Sequence, residues 1–259
     1  MFNKSGSLYG LIFGFAAIFG AYLLEGGTFG ALFLFPAMLI VFGGTFAATI
    51  IGVGLDKFKK IFYLIRMAYF PPKYDIHKLI EGFVKISVKS RQEGLLAVER
   101  MLNSLIYPFP KRLMNFVMDG TELESLESIA YGEMKAMQGR HNTYISMFNK
   151  MGGYAPTMGI IGTVMGLIMT LANAGKDPDT LIHSIASAFI ATLWGIFSAN
   201  LLWLPIADKL KQCHLEEKYM MEVSLEGVLA IQSGEIPSIV KSRLMSYLPQ
   251  KEQNAVSRR

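Results

Sequence analysis

The chain is short of charge. Only 17% of its 259 residues are Asp, Glu, Lys or Arg, whereas a soluble domain of this size carries about a quarter. The shortage is local. Four stretches, residues 8–24, 30–55, 153–174 and 181–204, hold no Asp, Glu, Lys or Arg at all, and each is about as long as the ~20 residues a helix needs to cross a bilayer core. Proteins that carry ions or protons through a membrane usually place an ionisable group at depth. Here, either no charged species moves or a second polypeptide supplies the carboxylate. Cysteine is also scarce: Cys213 stands alone, which excludes an intrachain disulfide, and its neighbour His214 makes only a weak metal signal. His77, His141 and His183 are scattered without ligand spacing. Nucleophile-elbow, Walker, zinc and dinucleotide-binding patterns are absent. The chain is therefore expected to be no enzyme, with no catalytic residues, metal site or cofactor.

The charge that is present lies on one side. If the four stretches span a membrane, 24 of the 25 Lys and Arg residues fall in the N-terminus, in residues 56–152 or after residue 204. Lys176 alone falls in the two short turns, 25–28 and 175–180, on the other side. The positive-inside rule then places both termini and the long segment in the cytoplasm. The expected fold is an all-α membrane protein with four transmembrane helices, a large helical cytoplasmic domain between spans two and three, and a cytoplasmic C-terminal helix. Its parts are a transmembrane hairpin (1–55), the cytoplasmic helical domain (56–152), a second hairpin (153–204) and the C-terminal extension (205–259). Lys4 before an apolar run resembles a signal peptide, but no small-residue cleavage site follows, so 8–24 reads as an uncleaved span. The net charge of +5 belongs to this one-sided layout and implies no nucleic acid.

Gly6, Gly10 and Gly14 recur every four residues in the first stretch, a spacing that lets helices approach closely in lipid; packing within the chain and packing between copies both fit it. After residue 55 the pattern turns amphipathic. Ile76, Leu79, Ile80, Phe83 and Val84 recur at helical spacing, as do Leu95, Val98, Met101, Leu102 and Leu105. Pro71-Pro72 follows a basic exit helix, and Pro108-Phe109-Pro110 interrupts the chain again. Further helices are expected near 121–149, 208–232 and 239–248, before a polar, frayed end over 251–259.

The third and fourth apolar stretches carry small, hydroxylated and kinking residues instead of charge. Gly162 and Gly166 make a G-x-x-x-G pair, and Ser187, Ala191, Gly195 and Ala199 form a second strip with Thr192 beside it. Pro156 and Thr163 share a face seven residues apart. A proline in such a helix removes one backbone hydrogen bond and frees a carbonyl, so bends or exposed polar atoms are expected near Pro156 and Pro205. Helix packing alone is the plainer explanation of these residues.

Several segments together resemble the flagellar stator A subunits, MotA and its sodium-type relatives PomA and MotP. They are 152–166 with Pro156, Ala191-Thr192-Leu193-Trp194-Gly195, Leu204-Pro205-Ile206-Ala207-Asp208, Arg91–Glu99 and Glu226–Gly234. The resemblance covers essentially the whole chain. It implies a torque generator of the bacterial inner membrane in which several A chains, five in the family, surround two MotB-type single-span subunits. Those partners bring the ion-binding aspartate and a peptidoglycan-binding domain. By the same resemblance, Thr163 and Thr192 line the ion path, Pro156 and Pro205 couple ion binding to movement, and Arg91 and Glu99 engage the rotor protein. Trp194 and Trp203 are left as packing or interfacial anchors. The transported ion is H+ or Na+, with Ala191 in place of a hydroxyl leaning towards protons. The rivals are an ExbB/TolQ-type energiser of the cell envelope, whose members have three spans with the large loop after the first, and a self-contained ion channel, which would need its own polar pathway.

Overall fold

The structure, a computed structural model, describes residues 5–105, 107–173, 175, 178–250 and 252–253. Lys4, Lys176 and most of the expected polar end (251 and 254–259) lie outside the described residues. Those described are helical with no strand among them, as the sequence pattern predicts. The main helices are α1 (Ser5–Leu24), α2 (Phe35–Val53), α3 (Ile61–Tyr69), α4 (Ile76–Glu93), α5 (Pro108–Met118), α6 (Leu123–Ala172), α7 (Pro178–Ser198), α8 (Leu204–Gln232) and α9 (Pro237–Met245). Among the described residues three helical stretches are long and apolar enough to cross a bilayer: α2, the apolar part of α6, and a run within Leu181–Gln232. Leu8–Leu24 is a shorter apolar helix.

Two boundaries differ from the sequence pattern. The apolar run from residue 30 is not one helix: a single turn, Phe29–Leu32, precedes α2. Pro36, in the first turn of α2, has no N–H to give the Leu32 carbonyl, and Leu34 before it is extended (φ −93°, ψ 111°). The indole Nε1 of Trp194 donates to that Leu32 oxygen at 2.8 Å, so a side chain replaces the missing backbone donor. The segments expected at 121–149 and 153–174 are instead parts of one 50-residue helix that runs through Pro156. Packing on either side of the proline outweighs its single lost hydrogen bond.

The chain divides into two compact units, Met1–Pro72 with His141–Cys213, and Lys73–Arg140 with His214–Arg259. In the first, Met147, Phe148, Met151 and Ala155 of α6 are buried together with Ile61, Leu64 and Ala68 of α3 and with Trp203, Ile206 and Leu210. A second cluster joins Ala37 and Val41 of α2 to Ala191, Trp194 and Phe197 of α7. The Trp194 ring lies 5.4 Å from Phe197 and 5.5 Å from Phe33. Thr45 and Thr49 are fully buried, and their hydroxyls return to the carbonyls of Val41 (2.6 Å) and Thr45 (2.7 Å). Many large apolar side chains of this unit face outward, among them Phe13, Ile51, Leu171 and Phe189.

The second unit is built around Phe83, Ile86, Leu102, Leu113, Met114, Leu126, Val228 and Leu244. Asp75 caps α4 by accepting from the Lys78 N–H, and Gly94 (φ +86°) ends it. α8 closes on Gly234 (φ +71°), where the Gly234 N–H bonds to Ile231 and the Glu235 N–H to Ala230; this end needs the left-handed backbone that glycine adopts freely. Arg243 of α9 then reaches Glu226 and Glu235, each at 3.0 Å.

Candidate functional site

The first candidate site grows from the contact between α6 and α7. A Cβ added at Gly159 would lie 2.9 Å from the Ala191 carbonyl, and one at Gly195 would lie 2.7 Å from the Ala155 carbonyl. Gly162 faces Ala191, and Gly166 faces Ala188. The two helices are therefore antiparallel and touch backbone to backbone, which only such small residues allow. The expected strips do meet, with Ala188 completing the contact while Ser187 lines a neighbouring cleft.

This close approach brings Thr163 and Thr192 into direct hydrogen bonding. The Thr163 hydroxyl is also 3.0 Å from the Gly159 carbonyl and 3.1 Å from the Ala188 carbonyl. Thr163 has one proton for two carbonyl acceptors, so the arrangement is best satisfied when Thr192 donates to Thr163. Both threonines are half-buried, and Ile160, Ile161, Val164, Phe189, Leu193 and Ile196 around them are exposed. The pair thus sits at an open apolar edge of the unit. It offers oxygen atoms without net charge, a set that hydrogen-bonds a proton carrier or ligates a hard cation but cannot neutralise it. Among the described residues no cluster of three or more His, Cys, Asp or Glu could hold a metal ion.

Pro156 is half-buried in α6, and Pro205 is exposed in the first turn of α8. Pro205 cannot donate to the Leu201 carbonyl, and a wide turn over Ala199–Trp203 precedes it, with the Leu204 N–H bonding to Ala199. Gly152, whose carbonyl Pro156 leaves without its helical donor, lies so close to Leu204 that an added Cβ would overlap that side chain. The two proline turns are thereby packed together. Pro205 also walls a cleft of about 350 Å³ with Gly10, Leu11, Tyr69, Lys209 and Gln212. Burial holds the Tyr69 phenol above its ordinary pKa. Of the glycine strip on α1, Gly14 packs on Leu201, while a Cβ added at Gly6 or Gly10 would meet nothing within 4 Å among the described residues.

Arg91 and Glu99 are exposed in the second unit. Helical-wheel spacing does not relate them, because Gly94 ends α4 and Glu99 lies in a tighter 3-10 helix, Leu95–Ser104. Arg91 donates to the Gly234 carbonyl at 3.0 Å, so it also holds the end of α8. Sequence reasoning missed three features. The donor role of Trp194 is signalled only by Pro36, far away in the chain. Thr45 and Thr49 carry an i, i+4 hydroxyl spacing that was available to read. The Arg243–Glu226–Glu235 cluster carries no local signal.

Comparison with known proteins fits this geometry. Residues 100–223 match the MotA/TolQ/ExbB proton channel family, and residues 8–94 match the motility protein A N-terminal model. Motility protein A of Bacillus subtilis is 37% identical over 247 residues, covering 95% of this chain and 91% of that one. Motility protein A of Treponema pallidum is 34% identical over 246 residues, covering 95% and 94%. The flagellar MotAB stator complex from Bacillus subtilis superposes with a TM-score of 0.89 at 36% identity, covering 96% of this chain and 98% of that one. The chain belongs to the motility protein A branch of the MotA/TolQ/ExbB family.

Proposed function

We propose that this chain is the A-type stator subunit of a bacterial flagellar motor, coupling ion flow to rotation of the rotor. The observation that carries the reading is the Thr163–Thr192 pair, a polar edge on the apolar stretches 153–174 and 181–204, which hold no Asp, Glu, Lys or Arg. A charge-neutral pathway wall of this kind needs a carboxylate from elsewhere. That requirement is met by a MotB-type single-span subunit carrying the ion-binding aspartate and a peptidoglycan-binding domain.

In this reading the protein sits in the inner membrane as four spans, with both termini, residues 56–152 and the C-terminal helix in the cytoplasm. Several copies, five as the family resemblance implies, surround two partner chains. Thr163 and Thr192 line the ion path beside the partner's aspartate. H+ or Na+ neutralises that aspartate, and the packed turns at Pro156 and Pro205 shift in response. Arg91 and Glu99 then act on the rotor protein through complementary charge. The chain performs no covalent chemistry.

The match of residues 8–94 to the motility protein A N-terminal model favours this reading over an envelope energiser. Deleting the gene tests it: filaments that are present but paralysed, with swimming restored by the intact gene, are the expected result. Normal swimming in a strain with no second stator gene would overturn it. A sodium titration of the rescued strain then identifies the ion.

A further inference from the structure

The basic segment leading out of α2 has a shape that the stator reading leaves unused. α3 buries Ile61, Leu64 and Ala68, which are 4%, 3% and 1% exposed, against the core of its unit. Its opposite face carries Phe62 (81% exposed), Tyr63 (66%) and Arg66, followed by Phe70 (72%). Soluble proteins seldom leave large apolar side chains clustered in water. A helix with aromatics and cations on one outward face is what lies in a membrane interface, rings among the headgroups and cations at the phosphates.

The charge fits the same partner. Residues 55–66 contain Lys57, Lys59, Lys60 and Arg66 against the single acid Asp56. Asp56 pairs with Lys59 at 3.5 Å, both well exposed, a contact too weak to withhold the lysine. Lys60 stands 5.6 Å over the Tyr144 ring. Lys57 and Arg66 are exposed. With nine residues α3 is only about 14 Å long, far short of the ~30 Å hydrocarbon core. Gly54 (φ +86°) turns the chain immediately after α2, so the segment is continuous with an apolar helix but not an extension of it.

We propose that the outward face of α3 is a docking surface for anionic phospholipid headgroups: Phe62, Tyr63 and Phe70 enter the interface, and Lys57, Lys59 and Arg66 meet the phosphates. The inference rests on the membrane topology given under the proposed function. It adds that the lipid surface itself positions the last turn of α3, where Ala68 and Tyr69 wall the cleft beside Pro205. Loss of anionic lipid would then loosen one wall of the coupling region.

Cys213 is the only cysteine, which makes the test direct. The full chain, co-purified with its partner subunit, carries Cys213→Ser together with Phe62→Cys bearing an environment-sensitive fluorophore. It is reconstituted in phosphatidylcholine alone or mixed with phosphatidylglycerol. A second preparation carries the label at Phe13→Cys, on an outward position of α1. The expected result at position 62 is quenching by lipids spin-labelled near the headgroup, little quenching by aqueous iodide, and a clear gain with phosphatidylglycerol. Lys57→Gln and Arg66→Gln should each cut that gain about fivefold, the usual effect of one basic side chain at an anionic surface. Full quenching by iodide, or no quenching by either agent as when another protein covers the face, overturns the proposal. At Phe13, lipids spin-labelled deep in the acyl region should quench; if they do not, the membrane topology itself is wrong.

Discussion

The two compact units solve the packing problem in opposite ways. In the unit holding α1, α2 and the α6–α7 contact, helices meet through Gly159, Gly162, Gly166 and Gly195 at backbone distance, and large side chains such as Phe13, Ile51 and Leu171 face outward. In the unit holding α4, α5 and α9, the large side chains face inward around Phe83, Met114 and Leu244, and ion pairs such as Arg243–Glu226 decorate the outside. The second pattern is driven by removing apolar surface from water. The first is not: its outward face is apolar, so close packing must hold it together. The comparison teaches that one chain is folded for two solvents, and that the candidate ion-path hydroxyls belong to the part held together by proximity.

Breaking each pattern at its own weak point sharpens the comparison. Gly195→Val should have the largest effect, because the new side chain meets the backbone of Ala155 and Gly159. The complex should fail to accumulate in membranes on an immunoblot, whereas Gly10→Ala, with nothing within 4 Å, should accumulate normally. In the water-facing pattern, Phe83→Ala should cost about 3–5 kcal/mol, read as a lowered melting temperature of the purified complex. A glycine-to-alanine change on the surface of the same unit should not reproduce it.

Three further changes act on function more than on fold. Thr163→Val with Thr192→Val should leave assembly intact and lower ion flux roughly tenfold or more, as expected for losing a hydrogen bond to a charged species. Arg91→Ala should weaken torque and also destabilise by about 1 kcal/mol, because its bond to the Gly234 carbonyl is lost. Glu99→Ala, exposed on its 3-10 helix, should affect torque alone. Bead rotation and thermal melts of the same variants separate the two contributions.

The smallest effect concerns alkali. Burial, reinforced by the nearby Glu252, Tyr247 and Glu222, raises the Tyr219 pKa above its ordinary value. Its phenol donates to the Tyr247 carbonyl. The folded state therefore favours the neutral phenol. That contribution is complete below the unfolded pKa of about 10 and disappears as pH rises through the higher folded value. Tyr219→Phe should flatten the fall in melting temperature above pH ~10.

Much of this was legible in the sequence, for identifiable reasons. Apolar runs without charge marked the helices of the first unit. The strips Gly162–Gly166 and Ser187–Ala191–Gly195–Ala199 marked part of the contact that brings Thr163 to Thr192, while Gly159 and Ala188 complete it in the structure. What escaped was non-local. Pro36 announces a missing donor, but nothing nearby shows that Trp194 supplies it. Arg91 reads as a surface charge until the Gly234 turn, distant in the chain, is placed beside it. The change from the amphipathic stretch 121–149 to the apolar stretch 153–174 suggests two helices, yet α6 runs through Pro156 as one because packing outweighs one lost hydrogen bond.

The central claim is that the apolar stretches 153–174 and 181–204 form a wall of the ion path but supply no carboxylate. Ion flux into liposomes tests it most directly, with the chain reconstituted alone and then with its partner subunit. No flux from the chain alone and flux in the presence of the partner, reduced by Thr163→Val, is the predicted result. Sustained flux from the chain alone would contradict the account.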